Sequence, residues 1–278
     1  MNRDKARKRG LAILKYFVLV NFALWSAVPV VIVILNSFKK QLDIFVNPPS
    51  LIFTPTMDNY IRLFTSDDYG RYYLNSIIVT GVSTVLSIVL GLFAAYGLAH
   101  FALPTSSKIA SGFLFAKMVP PITMLLPLFA VLSAINLLGT YVGPIVAHMA
   151  VNLAFVIWLF LSLLRDVPQD IIAAALMDGC TPMQVFWRII VPVVAPGIAA
   201  ATILCGQYSW NELLFVLQLT NLDTYTLPVG ISKLVGGLSF DWGKSSAAAT
   251  VTMVPIIIVG FFVQKYIATG TTAGAVKG

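Results

Sequence analysis

The sequence predicts an all-α, polytopic membrane protein with about six transmembrane helices. Two observations carry this. Hydrophobic residues make up 58% of the 278 and charged residues only 10%, with a mean hydropathy of +0.88, a composition that suits lipid as the solvent far better than water. Several apolar stretches also reach the roughly 20 residues that a helix needs to cross the hydrocarbon core, with at most one or two charges each.

The first span is expected at about 16–38, after a basic cluster formed by Arg3, Lys5, Arg7, Lys8, Arg9 and Lys15. Such a cluster holds a terminus in the cytoplasm and favours anionic lipid. The apolar stretch after it is too long for a signal peptide, and no small-x-small site closes it, so it reads as an uncleaved anchor. Although the net charge is +7, the basic residues form no stripe interleaved with aromatics, and a nucleic-acid partner is not expected.

Five further spans follow at about 75–100, 111–134, 143–164, 197–219 and 246–268. With both termini inside, 11 of the 18 Lys and Arg fall on the cytoplasmic side and 6 outside, the bias that sets orientation. Segment 39–74 is then external. Its Pro48, Pro49 and Pro55 and the acidic pair Asp67 and Asp68 point to short helices, and Tyr60, Tyr69, Tyr72 and Tyr73 suit an interfacial aromatic belt or a face towards a docking partner. Helix breakers recur in the spans, and the tandem Pro120-Pro121 just after Lys117 marks the third span as lining a pathway. Lys117 itself is expected to snorkel towards the cytoplasm.

Cys180 and Cys205 offer neither a disulfide framework nor a metal quartet, and His100 and His148 have no evident partners. No catalytic or metal-binding constellation emerges.

The loop at 165–196 holds the strongest local pattern. Pro168 and Asp170 suit a first helical turn, and Ala173, Ala174, Ala175 and Leu176 are strong helix formers. Gly179 can take the left-handed conformation that closes a helix of about ten residues, and Thr181, Pro182 and Gln184 then form a capping box that opens a second. Ile171, Ile172, Ala175 and Leu176 share one stripe, a compact apolar knob suited to a groove on another protein or to the membrane surface.

The run Ala174-Ala175, Asp178-Gly179, Phe186, Ile189, Pro192 and Pro196 resembles the EAA motif of ABC importer permeases, in the MalG-like carbohydrate branch of binding-protein-dependent inner-membrane components. Trp210-Asn211-Glu212 and the C-terminal Gly270 to Gly278 add to the resemblance. It implies a type I ABC importer permease fold in a bacterial inner membrane. The basic terminus would occupy 1–15, a permease domain 16–268 and a cytoplasmic tail 269–278.

The elbow would be a coupling helix seated in an ATPase subunit, with Asp170, Ala174, Ala175, Leu176, Asp178, Gly179, Phe186 and Pro192 carrying the coupling. The implied partners are a second permease subunit, two copies of a cytoplasmic ATPase and an external solute-binding protein. No cofactor belongs to this chain: ATP and Mg would be bound by the ATPases, and the sequence has no GxxxxGK[ST] phosphate loop. Ala173 stands where the family carries a glutamate, so seating in the ATPase would rest on shape more than on charge.

A substrate path is expected to include Trp210, Asn211, Glu212, Pro120 and Pro121. An uncompensated charge at mid-bilayer costs roughly 3 kcal/mol, so Glu212 must be paired, protonated or wet. It faces the solute, or it bonds backbone freed near Gly206 or a polar group of the companion permease. The rival classes are a secondary transporter driven by an ion gradient, an intramembrane enzyme and a membrane scaffold. The first would show repeats and buried ionisable pairs, the second a His, Asp or Ser constellation, and neither is evident in the sequence. A scaffold has no need of the ordered elbow.

Overall fold

The structure, a computed structural model, describes residues 2–48, 50–66, 68–100, 106–235 and 240–273, with side chains between 10 and 261 save those of Ser66, Ser106, Ser107, Leu114 and Val235. Asp67, the side chains of the basic cluster through Arg9 and the last residues of the tail, 274–278, lie outside the described set.

The helices in chain order are α1 (Asn2–Ser37), α2 (Gln41–Ile44), α3 (Asp58–Ser66), α4 (Tyr69–His100), α5 (Ser106–Met118), α6 (Pro121–Ala134) and α7 (Val142–Arg165). Then come α8 (Gln169–Met177), α9 (Pro182–Val185), a π-helical turn (Phe186–Ile190), α10 (Val191–Val193), α11 (Ala195–Asn211), α12 (Leu214–Leu219), α13 (Leu227–Val235) and α14 (Trp242–Ala273). Among the described residues four helices, Gly10–Ser37, Tyr69–His100, Val142–Arg165 and Trp242–Phe261, are each long and apolar enough to cross a membrane. Two bent pairs, Lys108–Met118 with Pro121–Ala134 and Pro182–Val193 with Ala195–Asn211, bring the number to six if each pair is one span.

The predicted third and fifth spans are therefore not straight rods. The third turns by 96° between α5 and α6, where the Pro121 ring lacks the N–H that would continue the helix. The fifth, expected as one helix over 197–219, stops at Asn211 and resumes at Leu214, with Glu212 extended at φ −74°, ψ 124°.

The chain divides into two compact units, Met1–Tyr69 with Ile231–Met253, and Gly70–Gly230 with Val254–Gly278. The first is tied together by Asn59, which is almost fully buried. Its Nδ2 donates to the carbonyls of Ser37 and Lys39, each at 2.8 Å, and its Oδ1 accepts from Arg62 at 2.8 Å. Arg62 in turn pairs with Asp241 at 2.7 Å. Residues 10–32 of α1 are exposed along their length, as suits a helix solvated by lipid.

The second unit has the main core. On α7 the buried positions Ala147, His148, Asn152, Ala154, Val156, Ile157, Phe160, Leu161 and Leu164 recur at helical spacing, so one face is continuously covered. Ile88, Leu92, Ala95 and Tyr96 of α4 meet that face together with residues of α8 to α11. Gly91 of α4 lies so close to Val156 that a Cβ there would collide with it.

The tyrosines of segment 39–74 pack against other parts of this chain and do not form a belt. Tyr69 is fully buried, and its hydroxyl bonds the Ala248 carbonyl at 3.0 Å and Thr252 at 2.9 Å. Tyr72 is buried against Tyr225, Tyr73 packs edge-on against Trp210, and Tyr60 bonds Ser37 at 2.7 Å. Each ring has a partner in this chain, through the hydroxyl for Tyr60 and Tyr69 and through the ring for Tyr72 and Tyr73, which composition alone does not reveal. The short helices expected in this segment are α2 and α3.

Candidate functional site

Two features are built from the predicted residues: the elbow at 165–196 and a cleft beside the break in the fifth span.

The elbow forms as its local sequence dictates. Pro168 stands at the N-cap position, one residue before α8, and makes no capping bond, while Asp170 lies in the first turn, where its charge complements the helix dipole. At the other end Gly179 is left-handed at φ +85°. The Cys180 N–H donates to Ala175 O at 3.0 Å and the Gly179 N–H to Leu176 O at 3.1 Å, the paired bonds of a Schellman cap. Thr181 and Gln184 then complete a reciprocal capping box, at 2.8 and 3.3 Å.

Downstream the helix widens. The Val191 N–H reaches back five residues to Phe186 O, and the chain bends by 74° before α11. Pro192, exposed in α10 just after the widened turn, has no N–H to donate, so the regular ladder is interrupted there.

The apolar knob is not a single outward surface. Ile172 and Ala175 are buried in this chain's own core, whereas Ile171 and Leu176 are each 46% exposed. At 100° per residue the four positions cover roughly 140° of arc. The middle of that arc packs inward and its edges remain free. Asp170, Ala173, Ala174, Met177 and Asp178 are exposed beside them.

Phe186 is an anchor and not a surface residue. It is 1% exposed and stacks on Phe93 with centroids 4.6 Å apart, with Tyr96 at 5.1 Å. The Tyr96 hydroxyl donates to Pro182 O at 3.2 Å. Phe93 and Tyr96 fasten the elbow to α4, and sequence reasoning missed both because their partners are some 90 residues away.

Beside the broken fifth span lies an open cleft of about 730 Å³, lined by Pro121 and Ile122 of α6, by Leu204, Gln207, Tyr208 and Asn211 of α11, and by Glu212, Leu213 and Leu214. Three of the five predicted path residues thus converge: Pro121, Asn211 and Glu212. Pro120 stands one residue before α6 and does not line the cleft. Trp210 is buried, and it lines a separate apolar cavity of about 420 Å³ with Gly81, Thr84 and Pro255.

Glu212 is buried and fully engaged by protein. Its carboxyl group accepts the Phe215 N–H at 3.0 Å and the Val216 N–H at 3.4 Å, donors freed at the start of α12 and not near Gly206. His148 of α7, expected to be without a partner, places Nε2 at 3.3 Å from Glu212 Oε2. The pair was invisible in the sequence, where 64 residues separate its members. Next to it, Asn152 donates to Ser209 at 3.2 Å and Ser83 bonds Ser209 at 3.3 Å, a polar seam between α4, α7 and α11. The Lys117 ammonium lies over the Phe155 and Trp158 rings, at 4.5 and 5.5 Å from their centroids.

Apolar spans that break beside a cleft of mixed polar and apolar lining, with a capped elbow between two of them, are the features of a membrane transport subunit. The chain belongs to the family of binding-protein-dependent transport system inner membrane components, whose model matches residues 87–272. It is 37% identical over 228 residues to the trehalose transport system permease protein SugB of Mycobacterium tuberculosis, covering 81% of this chain and 83% of that one. It is 32% identical over 252 residues to the sulfoquinovosyl glycerol transport system permease protein SmoH of Agrobacterium fabrum, covering 90% and 88%. Its fold is that of an ABC importer permease: a crystal structure of a bacterial ABC transporter involved in import of the acidic polysaccharide alginate superposes with a TM-score of 0.81 at 21% identity, covering 93% of this chain and 96% of that chain.

Proposed function

We propose that this chain is one of two translocation subunits of an ATP-driven importer for a sugar or related polyol. It sits in a bacterial inner membrane with both termini in the cytoplasm, and it takes energy through the elbow from two ATPase copies that hold ATP and Mg. A second permease completes the path, and an external solute-binding protein delivers the solute. The division into a basic segment 1–15, a permease domain 16–268 and a tail 269–278 belongs to the same reading.

The observation that carries it is the elbow. Two caps fix its turn, Phe186 and Tyr96 bind it to α4, and it still presents Asp170, Ile171, Ala174, Leu176, Met177 and Asp178 outward. A rigid, protein-anchored element with a free apolar edge is what a motor subunit needs in order to move a helix bundle as a body. Relatives named for trehalose and for sulfoquinovosyl glycerol support a saccharide as the solute.

The test is purification of the tagged chain from its native membrane in mild detergent. Recovery with a second permease and an ATPase bearing a phosphate loop is expected. A stable permease pair that hydrolyses no ATP and retains no ATPase overturns the reading.

A further inference from the structure

We propose that a bound water molecule bridges the Tyr208 hydroxyl and His148 Nδ1, completing a chain from Tyr208 through water and His148 to Glu212 at the break in the fifth span. The site belongs to the protein's own hydration and is independent of what the cleft transports. His148 is fully buried, and its Nε2 lies 3.3 Å from Glu212 Oε2. That oxygen already accepts the Phe215 and Val216 N–H groups, so it has no proton to give and Nε2 is the donor. A neutral imidazole then has a bare acceptor at Nδ1, and an imidazolium has a second N–H there. In either state Nδ1 needs a partner, and among the described residues it has none.

The Tyr208 ring centroid lies 6.1 Å from that of the imidazole, with the planes at 75°. Its hydroxyl is shielded and likewise unbonded among the described residues. The two groups do not bond each other, but one water satisfies both: it accepts the phenolic proton and, with the imidazole neutral, donates to Nδ1. Tyr208 and Glu212 line the cleft, which gives water a way in. The protein alone leaves this layer short of partners. Asn152 and Ser83 are already bonded to Ser209, and Thr84 and Ser87 of α4, both buried, have no bonded side-chain oxygen among the described residues. The bridge makes Tyr208 a positioning residue: it fixes the tautomer that donates to Glu212 and so keeps the carboxyl group aimed at the start of α12.

Radiolytic hydroxyl-radical labelling of the purified complete importer tests the bridge, because radicals born from a bound water oxidise the side chains that hold it, while a dry core stays unlabelled. His148 and Phe160 are both fully buried, yet His148 is expected to be oxidised several-fold faster. Tyr208→Phe keeps the ring and loses the hydroxyl, and should lower the His148 rate several-fold with Phe160 unchanged. A second measurement needs no variant: after rapid mixing into oxygen-18 water, the heavy oxygen should reach His148 later than it reaches Met177, which is 88% exposed in the elbow. A His148 rate as low as that of Phe160 shows a dry site and overturns the bridge. A rate equal in wild type and Tyr208→Phe, or heavy-oxygen uptake as prompt as at Met177, shows water that Tyr208 does not hold and overturns it as well.

Discussion

His148 Nε2 lies 3.3 Å from Glu212 Oε2, joining the N-terminal third of α7 to the break between α11 and α12. The contact explains how an acidic residue persists inside an apolar span. Its oxygens accept backbone N–H groups that α12 cannot satisfy by itself, and the imidazole supplies a third partner.

Removing the carboxyl group should therefore cost more than removing the imidazole. Glu212→Ala leaves two buried N–H groups unsatisfied, a loss of about 1–3 kcal/mol each, whereas His148→Gln keeps a polar side chain in the fully buried site and loses at most the one bond to the acid. Thermal unfolding of the purified importer is expected to show a larger drop for Glu212→Ala and a non-additive double variant. Additive effects argue that the two residues do not interact.

Gly179 is the most sensitive position in the elbow. Proline cannot adopt its φ of +85° and cannot supply the N–H that bonds Leu176 O, so Gly179→Pro should cost about 3 kcal/mol or more locally. Uptake should be abolished and ATP hydrolysis uncoupled from it, with insertion intact by surface labelling. Gly179→Ala, strained by only about 1 kcal/mol, should retain partial uptake. Normal uptake in the proline variant removes the elbow from coupling.

The fastening of the elbow to α4 is separable from its surface. Tyr96→Phe loses the bond to Pro182 O, worth about 0.5–1.5 kcal/mol, while Phe186→Ala opens a cavity beside Phe93 at a cost of about 3–5 kcal/mol. Both should lower the sugar moved per ATP hydrolysed, Phe186→Ala more, without loss of ATPase on copurification. Unchanged stoichiometry in both shows that the stack only stabilises the fold.

Trp210 should behave as a packing residue. It is buried against Tyr73 and does not line the cleft, so Trp210→Ala is expected to lower the amount of folded protein. Uptake per folded molecule should keep its KM. A raised KM at matched protein level places the indole in the solute path.

The sequence reading reached furthest where the physics is local. Gly179 and the Thr181-Gln184 box specify their turn through bonds that span three to five residues, and the structure reproduces them bond for bond. It reached less far where one pattern admits several partners. The stripe from Ile171 to Leu176 reads as a knob, but helical spacing cannot say that this chain's own core covers Ile172 and Ala175. The tyrosines after Lys40 suited an interface by residue type, yet Tyr69 is fixed by Ala248 and Thr252, about 180 positions away.

By itself, then, the sequence determined the lipid solvent, the approximate spans, the caps of the elbow and the family likeness, because hydropathy and capping act between neighbours along the chain. Only the tertiary structure decided that His148 holds Glu212, that Phe186 is an anchor on Phe93, that Trp210 turns away from the cleft and that the fifth span breaks at its acid. Those outcomes depend on which helices meet. In a bundle whose surfaces are nearly all apolar, few polar contacts choose the partners, and their members lie far apart in the chain.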